Sequence, residues 1–425
     1  MSLRILFINL CAAQHSITRA VTIMYVIKQL VTNRLPRIHN VSLERFLHDY
    51  LKVEIAGDNL KFPHVWLRDN CQCEQCFHSS AKSRIFDWSK FDLDIKPKGV
   101  LRKENTIEIT WSDDHRSVYK LDWLKFRSFT RENRLKYDEA IYRPTQKTWS
   151  KETFNGILKR FEYKEILESD SILYDWLYNL SVYGVTLIQN TPNSENAIDD
   201  VIARVAFPKT THYGVKFVVQ SVQDTSNVAY LSGNLPLHLD LPYYEYCPGT
   251  TLLHCLVQTE SYGGENLLSD SFYVAKYMRK HHPDQFKILA EVEVEWSDIG
   301  VEAGNEFFKL YRAPVFCMDK HNKLYRVNFS IPQRGSYFPE PIEKVIPWYY
   351  AHKMFLNLSN QFSASFKTKI GDILVFNNTR MLHGRSAYED SNNNVRRLIG
   401  AYIDWDEIYS RLRCLIVKSK KVDGV

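Results

Sequence analysis

Residues 238–255 read HLDLPYYEYCPGTTLLHC, and residues 382–388, far downstream, read LHGRSAY. In an extended strand residues i and i+2 project to one face, so His238 Nε2 and the Asp240 carboxylate can converge on a single ion. A later histidine on a neighbouring strand, His383, would complete a set of two imidazoles and one carboxylate. Such a set leaves three octahedral positions open, as Fe(II) requires to take a bidentate co-substrate and then O2. His-x-Asp with some distant histidine also arises by chance in chains of this length, so the pattern needs support from other residues.

Support comes from RRLIGAYI at 396–403, a strand-like run with an arginine that suits bidentate grip of a carboxylate in a closed pocket, such as the distal carboxylate of 2-oxoglutarate. Two arginines compete for that role. Strand parity puts Arg396, Leu398, Gly400 and Tyr402 on one face and Arg397, Ile399, Ala401 and Ile403 on the other. The small Gly400 and the aromatic Tyr402 suit a ligand-facing wall, which favours Arg396 inward and Arg397 outward.

Around this centre the chain mixes short strand patterns, GVTLIQN, TTLLHCLVQ, DILVFNN and RRLIGAYID, with helical ones, ETFNGILKRFEYKEILESD, DSFYVAKYMRKHHPDQFKILAEV and PWYYAHKMFLNLSNQF. The pattern predicts a β core flanked by helices. Upstream, the amphipathic SLERFLHDYLKVE leads to FPHVWLRDNCQCEQC and then to ENTIEITWSDDHRSVYKLDWL, whose alternation predicts a small β-rich unit. The expected organisation is a basic extension over 1–40, a small domain over 41–140 and a larger domain over 141–425, with 131–150 as the connection. The first acidic residue is Glu44, and the acid-free stretch before it suits a mitochondrial presequence and an ordinary basic extension equally, which leaves a cytoplasmic or a mitochondrial location open.

At 425 residues with 44% hydrophobic and 24% charged content, the chain is too apolar for disorder and long enough for two domains. A net charge of +6 without a long basic run makes nucleic acid a poor partner. No apolar window reaches the roughly 18 residues of a membrane span, so no membrane partner is expected. Eight cysteines are too sparse for a disulfide scaffold, which points to a reducing compartment. Gly263–Gly264 read as a turn, since no Walker-type Lys-Ser/Thr follows. His254, in an apolar run, reads as a core histidine and receives no role.

Cys71, Cys73 and Cys76 form a C-x-C-x2-C run, and ITWSDDH supplies His115. Three thiolates and one imidazole make a closed tetrahedral zinc site, structural because no coordination position stays open. His64 and His78 compete for the fourth place, but a strand partner returning from Trp111 favours His115.

Read together, WLRDNCQCEQC, ITWSDDH, NVAYLSG, HLDLPYYEYCPGTTLLHC, LLSDSFYVA, GDILVFNNTRMLHGRSAYE and GAYIDWDEIYSRLR resemble, in this order, the family of γ-butyrobetaine dioxygenase and trimethyllysine dioxygenase. The resemblance covers nearly all of the chain after Val41, and GAYIDWDE looks closer to the butyrobetaine member. It implies a jelly-roll (double-stranded β-helix) catalytic domain, mainly β with flanking helices, preceded by a small zinc-binding β domain. It further implies Fe(II), Zn(II), the co-substrate 2-oxoglutarate, O2, ascorbate as reductant, a homodimer and a place in carnitine biosynthesis. By residue match His238, Asp240 and His383 fall on the iron ligands and Arg396 on the 2-oxoglutarate arginine. Cys71, Cys73, Cys76 and His115 fall on the zinc ligands.

A trimethylammonium group offers no strong hydrogen bond and keeps its charge at every pH, so proteins hold it by cation–π contact. The resemblance places Tyr213, Phe217, Tyr230 and Tyr402 on an aromatic cage and Asn227 near the substrate carboxylate. Phe217 stands where the family usually has Trp, and Thr379 interrupts its usual Asn-Trp-Arg. The implied reaction is hydroxylation of γ-butyrobetaine to L-carnitine. Trimethyllysine hydroxylation, or a non-catalytic betaine-binding module, are the alternatives.

Overall fold

The computed structural model describes residues 49–220, 232–260, 262–302, 304–389 and 395–419. The basic extension, and the cage candidates Asn227 and Tyr230, lie outside the described residues. Contacts divide the chain into Met1–Thr130 and Arg131–Val425.

In the first unit, Tyr50–Ile55 pairs with Asp58–Pro63, and Pro97–Arg102, Thr106–Trp111 and Arg116–Lys120 form a three-stranded antiparallel meander. Alternation in Thr106–Trp111 buries Ile107, Ile109 and Trp111, and these pack with Leu60, Phe62, Leu67 and Leu124 into one core. The amphipathic run ending in YLKVE is therefore strand from Tyr50 onward.

The second unit carries twelve strands that matter for the site: β1 (Lys159–Glu162), β2 (Val185–Gln189), β3 (Lys216–Gln220), β4 (Leu235–His238), β5 (Thr250–Val257), β6 (Asn266–Asp270), β7 (Glu293–Glu302), β8 (Asn305–Pro314), β9 (Ala364–Phe366), β10 (Ile373–Asn377), β11 (Met381–Arg385) and β12 (Arg397–Ile403). One sheet has the order β3-β12-β5-β10-β2-β1, and a second has β4-β11-β6-β9. From β3 to β6 the chain alternates between the sheets strand by strand, and from β9 to β12 it does so again. That alternation is the double-stranded β-helix, or jelly roll.

Helices Asp170–Tyr183, Ala197–Val205 and Trp405–Ser419 cover the outer face of the larger sheet, burying Leu252, Val375, Ile399 and Ile403. The segment between β6 and β9 adds helices Ser271–His281, Pro283–Glu291 and Ile342–Gln361 and the β7–β8 hairpin. Pro283 divides the long helical pattern in two, since proline is tolerated at a first helical turn but not within one. The pattern ETFNGILKRFEYKEILESD likewise resolves into two short helices around β1. A fully buried ion pair, Arg380 Nη2 to Asp270 Oδ2 at 2.8 Å, ties the end of β6 to the turn before β11.

Candidate active site and zinc site

β4 and β11 pair antiparallel with His238 opposite His383, so both imidazoles project from one face with ring centroids 4.2 Å apart. His238 Nδ1 lies 2.9 Å from the Pro236 carbonyl oxygen, which takes the Nδ1 proton and leaves Nε2 to face the site. Asp240 reaches the same point by another route than strand parity. β4 ends at His238, and Asp240 sits in a bend beyond it, followed by Leu241 at φ 54°. Asn378 clamps that bend: the Asp240 N–H donates to Asn378 Oδ1 at 2.8 Å, and Asn378 Nδ2 donates to the Asp240 carbonyl at 2.9 Å. Thr251 Oγ1 donates to Asp240 Oδ2 at 3.1 Å. Oδ1 is thereby turned toward His238 Nε2 at 3.6 Å and His383 Nε2 at 3.4 Å.

The three ligand atoms lie within 4.8 Å of one another, close enough to share one ion. Burial by itself would raise the Asp240 carboxyl, but His383 and His238 outweigh it and hold it well below the usual carboxylate range. Burial lowers the pKa of His383 against the pull of Asp240, which favours the neutral imidazole that ligates metals. Two imidazoles and one carboxylate fit Fe(II).

The triad opens into a cavity of about 960 Å3 with the open solvent at its mouth included. Leu253, Leu268, Leu374, Phe376 and Leu398 make most of its wall apolar. Arg396 lines it and is 3% exposed, whereas Arg397 turns outward to pair with Glu195. Arg396 Nη2 donates to Asn266 Oδ1 at 3.5 Å, and its Nε has no hydrogen-bond partner among the described residues. Burial, then the charge of Arg385, pulls its pKa down to about 10. A guanidinium so placed is ready for a carboxylate.

Tyr213, Phe217 and Tyr402 line the same cavity. Phe217 and Tyr402 stack at 4.9 Å, and Tyr213 lies 6.2 Å from Phe217. β3 pairs with β12 so that Phe217 faces Gly400, where an added Cβ would fall 2.1 Å from the ring. The glycine is what lets the Phe217 ring lie down on β12. Thr379, for its part, donates N–H and Oγ1 to Asn377 Oδ1 and closes the turn into β11.

Several residues of the site escape sequence reading. Arg385 carries a signal that parity could have exposed, since it lies two residues after His383 on β11 and lines the cavity. Asn378, Thr251, Asn266 and Gln333 have no local signature, because contacts distant in sequence bring them there. His254 points into the helix-covered core, fully buried, and neither ring nitrogen has a hydrogen-bond partner among the described residues.

In the first unit His115 sits at the tip of the hairpin joining Thr106–Trp111 to Arg116–Lys120. Its Nε2 lies 3.3 Å from Cys71 Sγ, 3.5 Å from Cys73 Sγ and 3.5 Å from Cys76 Sγ. Four donors within 4.8 Å of one another fit a tetrahedral zinc ion. Burial pushes the Cys76 thiol up to about 12, and Arg68 Nη1, which donates to Cys76 Sγ at 3.3 Å, opposes that rise. The competitors stand elsewhere: His64 is buried against Trp111, and His78 Nδ1 accepts the Ala81 N–H.

Residues 142–402 match the model of the taurine catabolism dioxygenase TauD, TfdA family, and residues 48–125 that of the gamma-butyrobetaine hydroxylase-like N-terminal domain. The chain belongs to the TauD, TfdA dioxygenase family. Among relatives in this family, gamma-butyrobetaine dioxygenase of Homo sapiens is 35% identical over 356 residues, spanning 83% of this chain and 91% of that protein. The gamma-butyrobetaine dioxygenase of Pseudomonas sp. (strain AK-1) is 28% identical over 83% of this chain and 90% of its own length. Mitochondrial trimethyllysine dioxygenase of Rattus norvegicus is 28% identical over 86% of each chain. The chain is thus a TauD-type dioxygenase with the N-terminal domain of the γ-butyrobetaine hydroxylase branch. No helix among the described residues is long and apolar enough to cross a membrane.

Proposed function

We propose that this protein hydroxylates γ-butyrobetaine to L-carnitine with Fe(II), 2-oxoglutarate and O2. The observation that carries the reading is one cavity holding the triad His238, Asp240 and His383, the buried Arg396 and the rings Tyr213, Phe217 and Tyr402. The higher identity to human γ-butyrobetaine dioxygenase than to trimethyllysine dioxygenase supports the choice of substrate.

Bound Fe(II) with 2-oxoglutarate and O2 supplies an oxidant for an unactivated C–H bond, with succinate and CO2 as co-products. In this reading the chain contributes placement and exclusion. His238, Asp240 and His383 would hold the metal, with Thr251 and Asn378 fixing the angle of the carboxylate. Arg396 grips the distal carboxylate of the co-substrate, and Asn266 steadies the guanidinium. Phe217 and Tyr402, whose rings stack, and Tyr213, 6.2 Å from Phe217, would meet the trimethylammonium; Tyr230 as a further cage ring and Asn227 near the substrate carboxylate are proposed from the family resemblance alone. Apolar walls keep bulk water from the reacting carbon. A structural zinc at Cys71, Cys73, Cys76 and His115, ascorbate as reductant, a homodimer and a cytoplasmic or mitochondrial location belong to the same proposal, as does a small-domain boundary near residue 140.

Purified protein given Fe(II), 2-oxoglutarate and γ-butyrobetaine should release succinate, and Asp240→Ala should cut that release by at least about a hundred-fold while circular dichroism stays unchanged. A folded Asp240→Ala variant with near-normal turnover would overturn the triad.

A further inference from the structure

One aromatic wall of the cavity stands at the tip of a tight turn. The Thr211 N–H donates to the Gly214 carbonyl and the Gly214 N–H to the Thr211 carbonyl, each at 3.0 Å, with Gly214 at φ 88°. His212 and Tyr213 are therefore the central residues of a two-residue reversal. Tyr213 lines the cavity and is partly buried. Local bonds fasten the base of such a turn and leave its tip to be held by something else.

What holds this tip is Tyr244. Its Oη accepts the His212 backbone N–H at 3.0 Å and lies 2.9 Å from His212 Nδ1. With the phenol proton assigned to Nδ1, the imidazole is neutral and carries its own proton on Nε2. Burial favours the same state, since it and then the charge of Lys309 pull the His212 pKa down to about 4. The imidazole packs against the Tyr213 ring at 4.0 Å between centroids and against the Phe307 ring of β8 at 4.3 Å. Tyr244 is in turn fixed to the segment that bears an iron ligand. Leu241, next after Asp240, has φ 54°, and the Tyr244 N–H closes a turn on the Leu241 carbonyl at 3.1 Å. Arg326 donates from Nη2 to the Tyr244 carbonyl at 3.2 Å and from Nη1 to the Glu245 carbonyl at 2.9 Å. Lys309 Nζ lies over the Tyr244 ring, 5.3 Å from its centroid. Direct contacts thus run from the turn after Asp240 through Tyr244 and His212 to Tyr213.

We propose that Tyr244 keeps the cation cage in register with the iron triad: through His212 it holds Tyr213 in place, so that a cation seated on that ring presents the same carbon to the metal in every turnover. Tyr244 is a positioning residue, since it does not itself line the cavity. The inference rests on the reading that this cavity receives a trimethylammonium group, and it names what fixes that group's distance from the metal.

The test uses full-length wild type, Tyr244→Phe, His212→Phe and the double variant. Tyr244→Phe keeps the ring beneath Lys309 and removes only the oxygen that His212 uses, so amide exchange over residues 211–214 should quicken by about ten-fold. The KM for γ-butyrobetaine should rise by about ten-fold, while the inhibition constant of 5,5-dimethylhexanoate, in which a tert-butyl carbon replaces the quaternary nitrogen, moves by less than about three-fold. Succinate released per L-carnitine should climb from about one to about two or more, with the KM for 2-oxoglutarate held within about two-fold. On the His212→Phe background, Tyr244→Phe should add less than about three-fold to the KM for γ-butyrobetaine, because the two residues act as one unit. If Tyr244→Phe melts early, His212→Phe, which keeps a ring between Tyr213 and Phe307, reads the same quantities and should shift them in the same direction. Unchanged exchange, quickened exchange with the KM and the succinate ratio unmoved, or independent effects in the double variant would each overturn the register role while leaving the proposed reaction standing. Wild type that turns over no γ-butyrobetaine would overturn the reaction and the inference together.

Discussion

Replacing Gly400 by Ala should damage cation recognition without touching iron, co-substrate or any charge. The added Cβ falls 2.1 Å from Phe217 Cζ, 2.2 Å from Cε2 and 2.7 Å from Cε1. Carbon atoms rest at roughly 3.5–4 Å, so the ring must withdraw by more than about 1 Å. Its retreat is resisted because Phe217 is stacked on Tyr402 at 4.9 Å, and Tyr402 is 3% exposed. Overpacking of this kind costs about 1–3 kcal/mol of stability, and loss of one cation–π face costs about 0.5–2 kcal/mol of binding. The second figure corresponds to a rise of between about two-fold and thirty-fold in KM for γ-butyrobetaine. The assay is succinate release against substrate concentration, with 5,5-dimethylhexanoate as a competing ligand and a thermal melt alongside. The cation should lose more than the neutral isostere, and adding Phe217→Ala to Gly400→Ala should restore stability but not affinity. An alanine that left the melt and both affinities unchanged would show that Phe217 does not rest on Gly400.

The other expectations concern folding and metals. Wild type should carry about one zinc per chain, and Cys73→Ser should lower that and weaken hydrogen-exchange protection across 49–130; protein isolated folded and zinc-free would refute the site. Asp270→Asn strands the Arg380 guanidinium where both side chains are 0% exposed, so denaturant unfolding should report a loss of about 3–5 kcal/mol, and a loss below about 1 would contradict the importance of the pair. His254 is fully buried, and burial pulls its pKa from 6.5 to about 4. The unfolded chain therefore takes up this proton first as pH falls, and stability drains away between pH 6.5 and about 4. His254→Leu should remove this residue's share of that drain, about 1.6 kcal/mol between pH 6.5 and 5, and an unchanged pH slope would show the histidine to be solvated.

A side chain's role is legible in the sequence where it follows from its immediate neighbours. Parity on RRLIGAYI separates Arg396 from Arg397, and the structure places the first in the cavity and the second against Glu195. Short spacing likewise gathers Cys71, Cys73 and Cys76. Asp240 does not owe its aim to strand parity: the strand has ended at His238, and the carboxylate is aimed by Asn378 and Thr251, residues that no local pattern connects to it. The β-rich core with covering helices was legible from alternation and apolar runs. The breaks at β1 and Pro283 have no clear local signal, because both interrupt segments that read as continuous helical patterns.

The central claim is that one cavity combines an iron triad, a dicarboxylate grip and a cation cage for γ-butyrobetaine. It is tested most directly by incubating the purified chain with Fe(II), 2-oxoglutarate and ascorbate, offering γ-butyrobetaine and trimethyllysine at equal concentration in separate reactions, and quantifying succinate and the hydroxylated products. The account predicts L-carnitine formed in step with succinate and faster than any hydroxylated trimethyllysine. Succinate release with trimethyllysine alone, or with neither compound, would contradict it.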